Sequence, residues 1–193
     1  MWKDKLLTVF TILLLITGLG TISWVLYKSY FFRESLPQLG ELRCVEEQKM
    51  ITMPDDYLAG LIHKGEPLKV YVGYYNCNQV QRGDLVYFRI SPPIDPVVKI
   101  VYGLPGDKFE VVETDIEDQW NIKLNDSLVM SGDKPYFIQS RHTPPLKTYQ
   151  ISRSGILGPG EYIILSNVPP GMSDSSNLGI VRKRAFEGRV FIP

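Results

Sequence analysis

Beyond residue 28 the apolar residues of this chain come in short runs, each closed by a turn signal, and none keeps a long helical period. Residues 68–72 alternate and stop at Gly73. Arg82-Gly83 introduces the run 84–90, and a proline-rich loop leads from it into 97–102. Residues 109–112 follow. Residues 121–124 and 127–129 flank Asn125-Asp126 and read as a hairpin. Gly158-Pro159-Gly160 opens the run 161–165, and the chain closes on an apolar stretch, 188–192. Fourteen prolines and sixteen glycines supply the turns such a pattern needs. The expected fold is mainly β, a sandwich or barrel of short strands. Residues 131–155 are polar, contain prolines and carry no clear period.

Residues 6–27 form a different region, 22 residues without a charge. At about 1.5 Å per residue they reach across a hydrocarbon core of roughly 30 Å. Trp2, Trp24 and Tyr27 stand near the two ends, as interfacial aromatics do. The run is longer than the apolar part of a cleaved signal peptide, and Ser23-Trp24-Val25 is a poor cleavage site, so it reads as one retained transmembrane helix. Lys3, Lys5 and the amino terminus precede it, which favours a cytoplasmic N-terminus and an extracytoplasmic body. Residues 1–28 are then the cytoplasmic tip and anchor, 29–56 a juxtamembrane segment and 57–193 the β domain. Single-pass insertion in the inner (plasma) membrane makes the lipid bilayer the first partner.

Charge excludes some functions. Twenty-one basic residues balance twenty-one acidic ones without a basic stripe, which argues against nucleic acid as a partner. Two histidines and two cysteines are too few and too scattered for a metal site, and no cofactor is implied. Cys44 and Cys77 either pair as a disulfide outside the cytoplasm or stay as two buried thiols.

One residue breaks the β pattern. Lys99 sits inside the apolar run Val97-Val98-Lys99-Ile100-Val101, which a Gly-Leu-Pro-Gly-Asp turn closes. An ammonium buried there must be paired or lose its proton, and a neutral lysine is a general base. The other reading is an edge-strand lysine whose amine snorkels to water.

Three ordered blocks favour the base. Arg82-Gly83-Asp84-Leu85-Val86-Tyr87-Phe88, then Lys99-Ile100-Val101-Tyr102-Gly103-Leu104-Pro105-Gly106-Asp107, then Ser173-Asp174-Ser175-Ser176-Asn177-Leu178-Gly179 resemble the blocks of the signal peptidase I superfamily, peptidase family S26. Pro159-Gly160-Glu161-Tyr162 resembles the segment leading into the last block. The resemblance spans about residues 65–193 and implies a signal-peptidase-like β domain on a membrane anchor. It also implies a Ser/Lys serine endopeptidase acting on signal-peptide-bearing preproteins. Lys99 then holds the place of the base, with Asp174 and Ser175 supporting it.

The chain departs from the pattern twice. Ser176 stands where an arginine follows Asp-Ser, and Ser166-Asn167-Val168-Pro169 replaces Gly-Asp-Asn-Arg. This form is closer to the conjugative-transfer peptidases, which brings secretion or transfer-system components in as partners. The nucleophile is the second departure, because the aligned positions hold no serine. Ser35-Leu36-Pro37 matches Ser-x-Pro, seven residues past Lys28, and makes Ser35 the expected nucleophile. Thr52-Met53-Pro54 is the weaker match. A relative that keeps the fold and peptide groove but lacks a nucleophile is the competing function.

Overall fold

The computed structural model describes residues 37–91 and 95–192. The expected anchor and Ser35 lie outside the described residues, among which no helix is long and apolar enough to cross a membrane. Among the described residues thirteen strands dominate: β1 (Glu47–Thr52), β2 (Pro67–Val72), β3 (Leu85–Phe88), β4 (Val97–Gly103), β5 (Phe109–Glu113), β6 (Gln119–Leu124), β7 (Ser127–Leu128), β8 (Met130–Ser131), β9 (Lys134–Pro135), β10 (Phe137–Gln139), β11 (Glu161–Leu165), β12 (Val181–Arg182) and β13 (Phe186–Phe191). Two helices interrupt them, α1 (Pro144–Arg153) and α2 (Ser175–Leu178). The mainly β expectation holds.

A seven-stranded sheet runs in the order β1-β2-β13-β3-β4-β11-β12. A second sheet holds β10-β6-β5, with β7 paired to β6. Its β6–β7 hairpin turns through Asn125 and Asp126, both at positive φ (49° and 67°). That is the geometry in which Asn and Asp lose least among side-chain-bearing residues. β1 lies inside the stretch read from sequence as juxtamembrane, and it pairs with β2 along its whole length.

The cores follow from strand periodicity. In β3, Leu85 and Tyr87 join Val98, Ile100 and Val190 under Met53, Leu58 and Ile62 of the β1–β2 connection. The alternate residues Val86 and Phe88 join Val101, Ile164, Tyr74 and Tyr75. β11 is buried at every position, as a strand covered on both faces must be. Its Ile163 and Leu165 reach a third cluster built on β5, β6 and β10. In α1 only Leu146 is buried, so the helix presents almost no apolar stripe. This explains why residues 131–155 gave no period.

Cys44 and Cys77 form a disulfide with a Cα–Cα distance of 5.9 Å, which decides between the two readings of the cysteines. It ties the turn Leu39–Cys44 to the turn Tyr74–Asn76. Tyr74 Oη donates to Glu41 (3.2 Å) and Asn78 Nδ2 to the Glu41 carbonyl (2.7 Å), closing the same junction. Because the bond spans 33 residues of sequence, replacing Cys77 with serine is expected to cost about 3–4 kcal/mol through the freed unfolded chain. Urea unfolding measures this; a midpoint equal to that of the oxidised wild type would contradict it.

Candidate active site

The two aspartates that open and close the first pair of blocks hold the frame. Asp84 accepts hydrogen bonds from the Gln81 N–H (2.8 Å) and Tyr75 Oη (3.1 Å), and faces Arg189 at 3.0 Å. Asp107 accepts from the Leu104 N–H (2.7 Å) across its own turn, from Asn125 Nδ2 (2.7 Å) and, at both carboxylate oxygens, from Arg82 Nη2 (3.0 and 2.8 Å). Burial alone would raise its pKa, but these donors outweigh it and hold the carboxyl below the usual range. Arg82 also donates to the Tyr102 carbonyl at the end of β4. The Arg-Gly-Asp and Gly-Leu-Pro-Gly-Asp blocks therefore clamp together the C-terminal end of β4, the strand that carries Lys99.

Lys99 is fully buried in β4, opposite Val86 of β3. Its Nζ has no hydrogen-bond partner among the described residues, and the Tyr57 ring covers it with the centroid 4.8 Å away. Burial pushes the amine below the ordinary lysine pKa, while the charges of Asp55 and Asp174 pull it upward. The snorkelling reading fails: the amine is enclosed.

The end of β11 makes this enclosure. β11 stops at Leu165, opposite Ile100. Ser166 turns its N–H to Asp174 Oδ2 (2.9 Å) instead of continuing the ladder. On the β11 side, residues 97–99 of β4 consequently have no ladder partner among the described residues. Asn167 and Val168 donate instead to the Tyr57 carbonyl (2.8 and 3.0 Å), which draws the β1–β2 connection beside Lys99. Extending the register one step sets Ser166 across from Lys99, where opposed Cβ atoms lie about 4.5–5.5 Å apart.

Asp174 is the buried hub of the site. Its Oδ2 accepts from Ser166 N–H, Ser166 Oγ (2.7 Å) and Tyr136 Oη (3.1 Å). Its Oδ1 accepts from Ser176 N–H (2.8 Å) and Ser176 Oγ (2.6 Å) as it caps α2. Gly171 makes room: a Cβ there would lie 1.9 Å from Oδ2. Burial and the Asp174 charge hold the Tyr136 phenol well above its usual pKa, so it stays a donor.

The sequence-derived residues are thus partly brought together. Lys99 and Asp174 are close enough to interact electrostatically. Ser175 Oγ instead accepts from the Ile164 N–H (2.9 Å), fastening α2 to β11. Thr52 ends β1 in an exposed position, and no hydroxyl among the described residues bonds Lys99 Nζ. Ser166, Tyr136, Asp55 and Tyr57 were not legible as site residues, since their roles come from a strand end and a connection that meet only in three dimensions. No group of three or more His, Cys, Asp or Glu suited to a metal ion occurs among the described residues.

A buried lysine with a lowered pKa beside a buried, donor-saturated aspartate marks this place on the β frame as a candidate functional site. The family model described as signal peptidase, peptidase S26, matches residues 6–193, and the chain belongs to that family. A solved signal peptidase I from Enterococcus faecalis V583 is similar at 22% identity, covering 59% of this chain and 98% of that one, with a TM-score of 0.38. No curated protein matches.

Lys99→Met is expected to stabilise the fold by about 1–4 kcal/mol near neutral pH, because it removes a buried amine without a partner. In the wild type the folded pKa is lowered from 10.5, so unfolding takes up a proton between the two values. Wild-type stability therefore rises with pH through that window and the advantage of the variant shrinks. Urea unfolding at a series of pH values reads both; a destabilised Lys99→Met protein would contradict the assignment.

Proposed function

We propose that this chain is a membrane-anchored serine endopeptidase of signal-peptidase type, in which Lys99 is the general base and Ser35 the nucleophile. The observation that carries the reading is the Lys99 amine, which is fully buried, without a hydrogen-bond partner among the described residues and depressed in pKa. Such a group lowers stability, and a scaffold gains nothing from keeping it. A peptidase does: the neutral amine takes the hydroxyl proton as oxygen attacks the scissile carbonyl, then returns it to the leaving nitrogen. Asp174 and Ser166 would hold the amine in place, with Ser175 fixing the helix that presents Asp174.

The unpaired edge of β4 at residues 97–99 suits an extended substrate that adds as a strand beside Lys99. Small side chains next to the cleaved bond are the expected specificity. The Cys44–Cys77 disulfide supports an oxidising, extracytoplasmic compartment for this domain, with residues 6–27 as the anchor in the plasma membrane. Substrates would be signal-peptide-bearing preproteins. The altered last block favours transfer-system proteins among them.

One observation favours a second reading, a peptide-binding relative without activity: no described hydroxyl bonds Lys99 Nζ. Cleavage of a preprotein by the full-length chain in detergent separates the two. Lys99→Met and Ser35→Ala are each expected to lower kcat/KM by at least about 10²–10⁴-fold. An active Lys99→Met protein, or a wild type that neither cleaves nor forms an adduct with a serine-directed acylating probe, would overturn the proposal. The protonated amine cannot accept a proton, so kcat/KM should rise with pH and level off above a pKa below 10.5. A rate independent of pH across that range would contradict Lys99 as the base.

A further inference from the structure

Lys99 is enclosed in the free protein, yet taking the proton of a nucleophilic hydroxyl requires access to its Nζ. The element that covers it is Tyr57. Among the described residues all of its hydrogen bonds are made by its backbone. Its N–H donates to Asp55 Oδ1 (3.0 Å), and its carbonyl accepts from Asn167 and Val168. Its hydroxyl makes no hydrogen bond among the described residues, and its side chain is only half-buried. The ring rests over the amine at 4.8 Å. A phenol anchored through its backbone and free at its tip can change rotamer without disturbing the sheet.

We propose that Tyr57 is an aromatic gate over Lys99, closed in the free protein and swung aside when an extended peptide occupies the unpaired β4 edge at residues 97–99. The gate faces two carboxylates, Asp55 on its own turn and Asp174 across the site, both acting on the same amine. Its ring lies over the same amine that the gap left where β11 ends at Leu165 adjoins. With the gate closed the base is kept from water and from stray electrophiles. With it open, the wall beside the scissile bond loses one ring of volume, so Tyr57 also bears on which side chains fit there. The inference rests on Lys99 serving as the base, but covering and uncovering can be measured without any cleavage assay.

The test is competitive acetylation of the full-length chain in detergent with an N-hydroxysuccinimide ester, read by peptide mass mapping, with exposed Lys183 as internal standard. Lys99 in the wild type should label more slowly than Lys183 by about tenfold or more. Tyr57→Ala should raise the Lys99 rate by about tenfold while Lys183 is unchanged. Tyr57→Phe should label like the wild type, because the hydroxyl makes no bond. A second measurement needs no variant. If the ring alone gates, Lys99 labelling is independent of urea below the unfolding transition; if access needs global opening, the rate climbs with urea. Lys99 labelling as fast as Lys183 in the wild type, an inert Lys99 in Tyr57→Ala, fast labelling in Tyr57→Phe, or a urea-dependent rate would each overturn the gate. Loss of cleavage in Lys99→Met is unaffected by any of these outcomes, so the two readings fail separately.

Discussion

The Asp174 carboxylate gathers donors from three separate stretches of chain, Tyr136, Ser166 and Ser176. Each would be left with an unsatisfied buried group if the carboxylate moved, so the arrangement is over-determined. By drawing Ser166 out of the ladder, Asp174 ends β11 one residue short of Lys99. The gap beside β4 and the approach of the β1–β2 connection both follow from that early end. Asp174 also brings its own negative charge to bear on the amine.

Lys99 shows the opposing economy. Its burial without a hydrogen-bond partner among the described residues weakens the fold, and the same burial depresses its pKa toward the range in which an amine accepts protons. The surrounding frame absorbs that weakness. Asp107 clamps the turn after β4 through Arg82 and Asn125, and Asp84 anchors the turn before β3 to Arg189 and Tyr75. The Cys44–Cys77 bond adds a covalent tie at the junction of the two turns it joins.

Much of the fold was legible because strand periodicity and turn chemistry are local. The alternation at residues 68–72 became β2, the run 161–165 became β11, and Asn125-Asp126 became a left-handed two-residue hairpin turn. Residues 131–155 were not legible, because α1 buries Leu146 alone and β8, β9 and β10 are two or three residues each. Elements that short have no period to read. β1 went unread for a related reason: its residues Glu47–Thr52 are mostly polar, as an edge strand's are.

The sequence by itself determined the family and singled out Lys99 and Asp174, since both rest on residue types at fixed spacing within contiguous blocks. Only the tertiary structure decided that the amine is enclosed rather than snorkelling. It also assigned Ser175 to the α2–β11 contact, brought Ser166 across from Lys99, and set Tyr57 over the amine. The reason is physical. A side chain's partners in a sheet are fixed by register and by where neighbouring strands stop, and those depend on contacts between residues as far apart in sequence as Tyr57 and Val168.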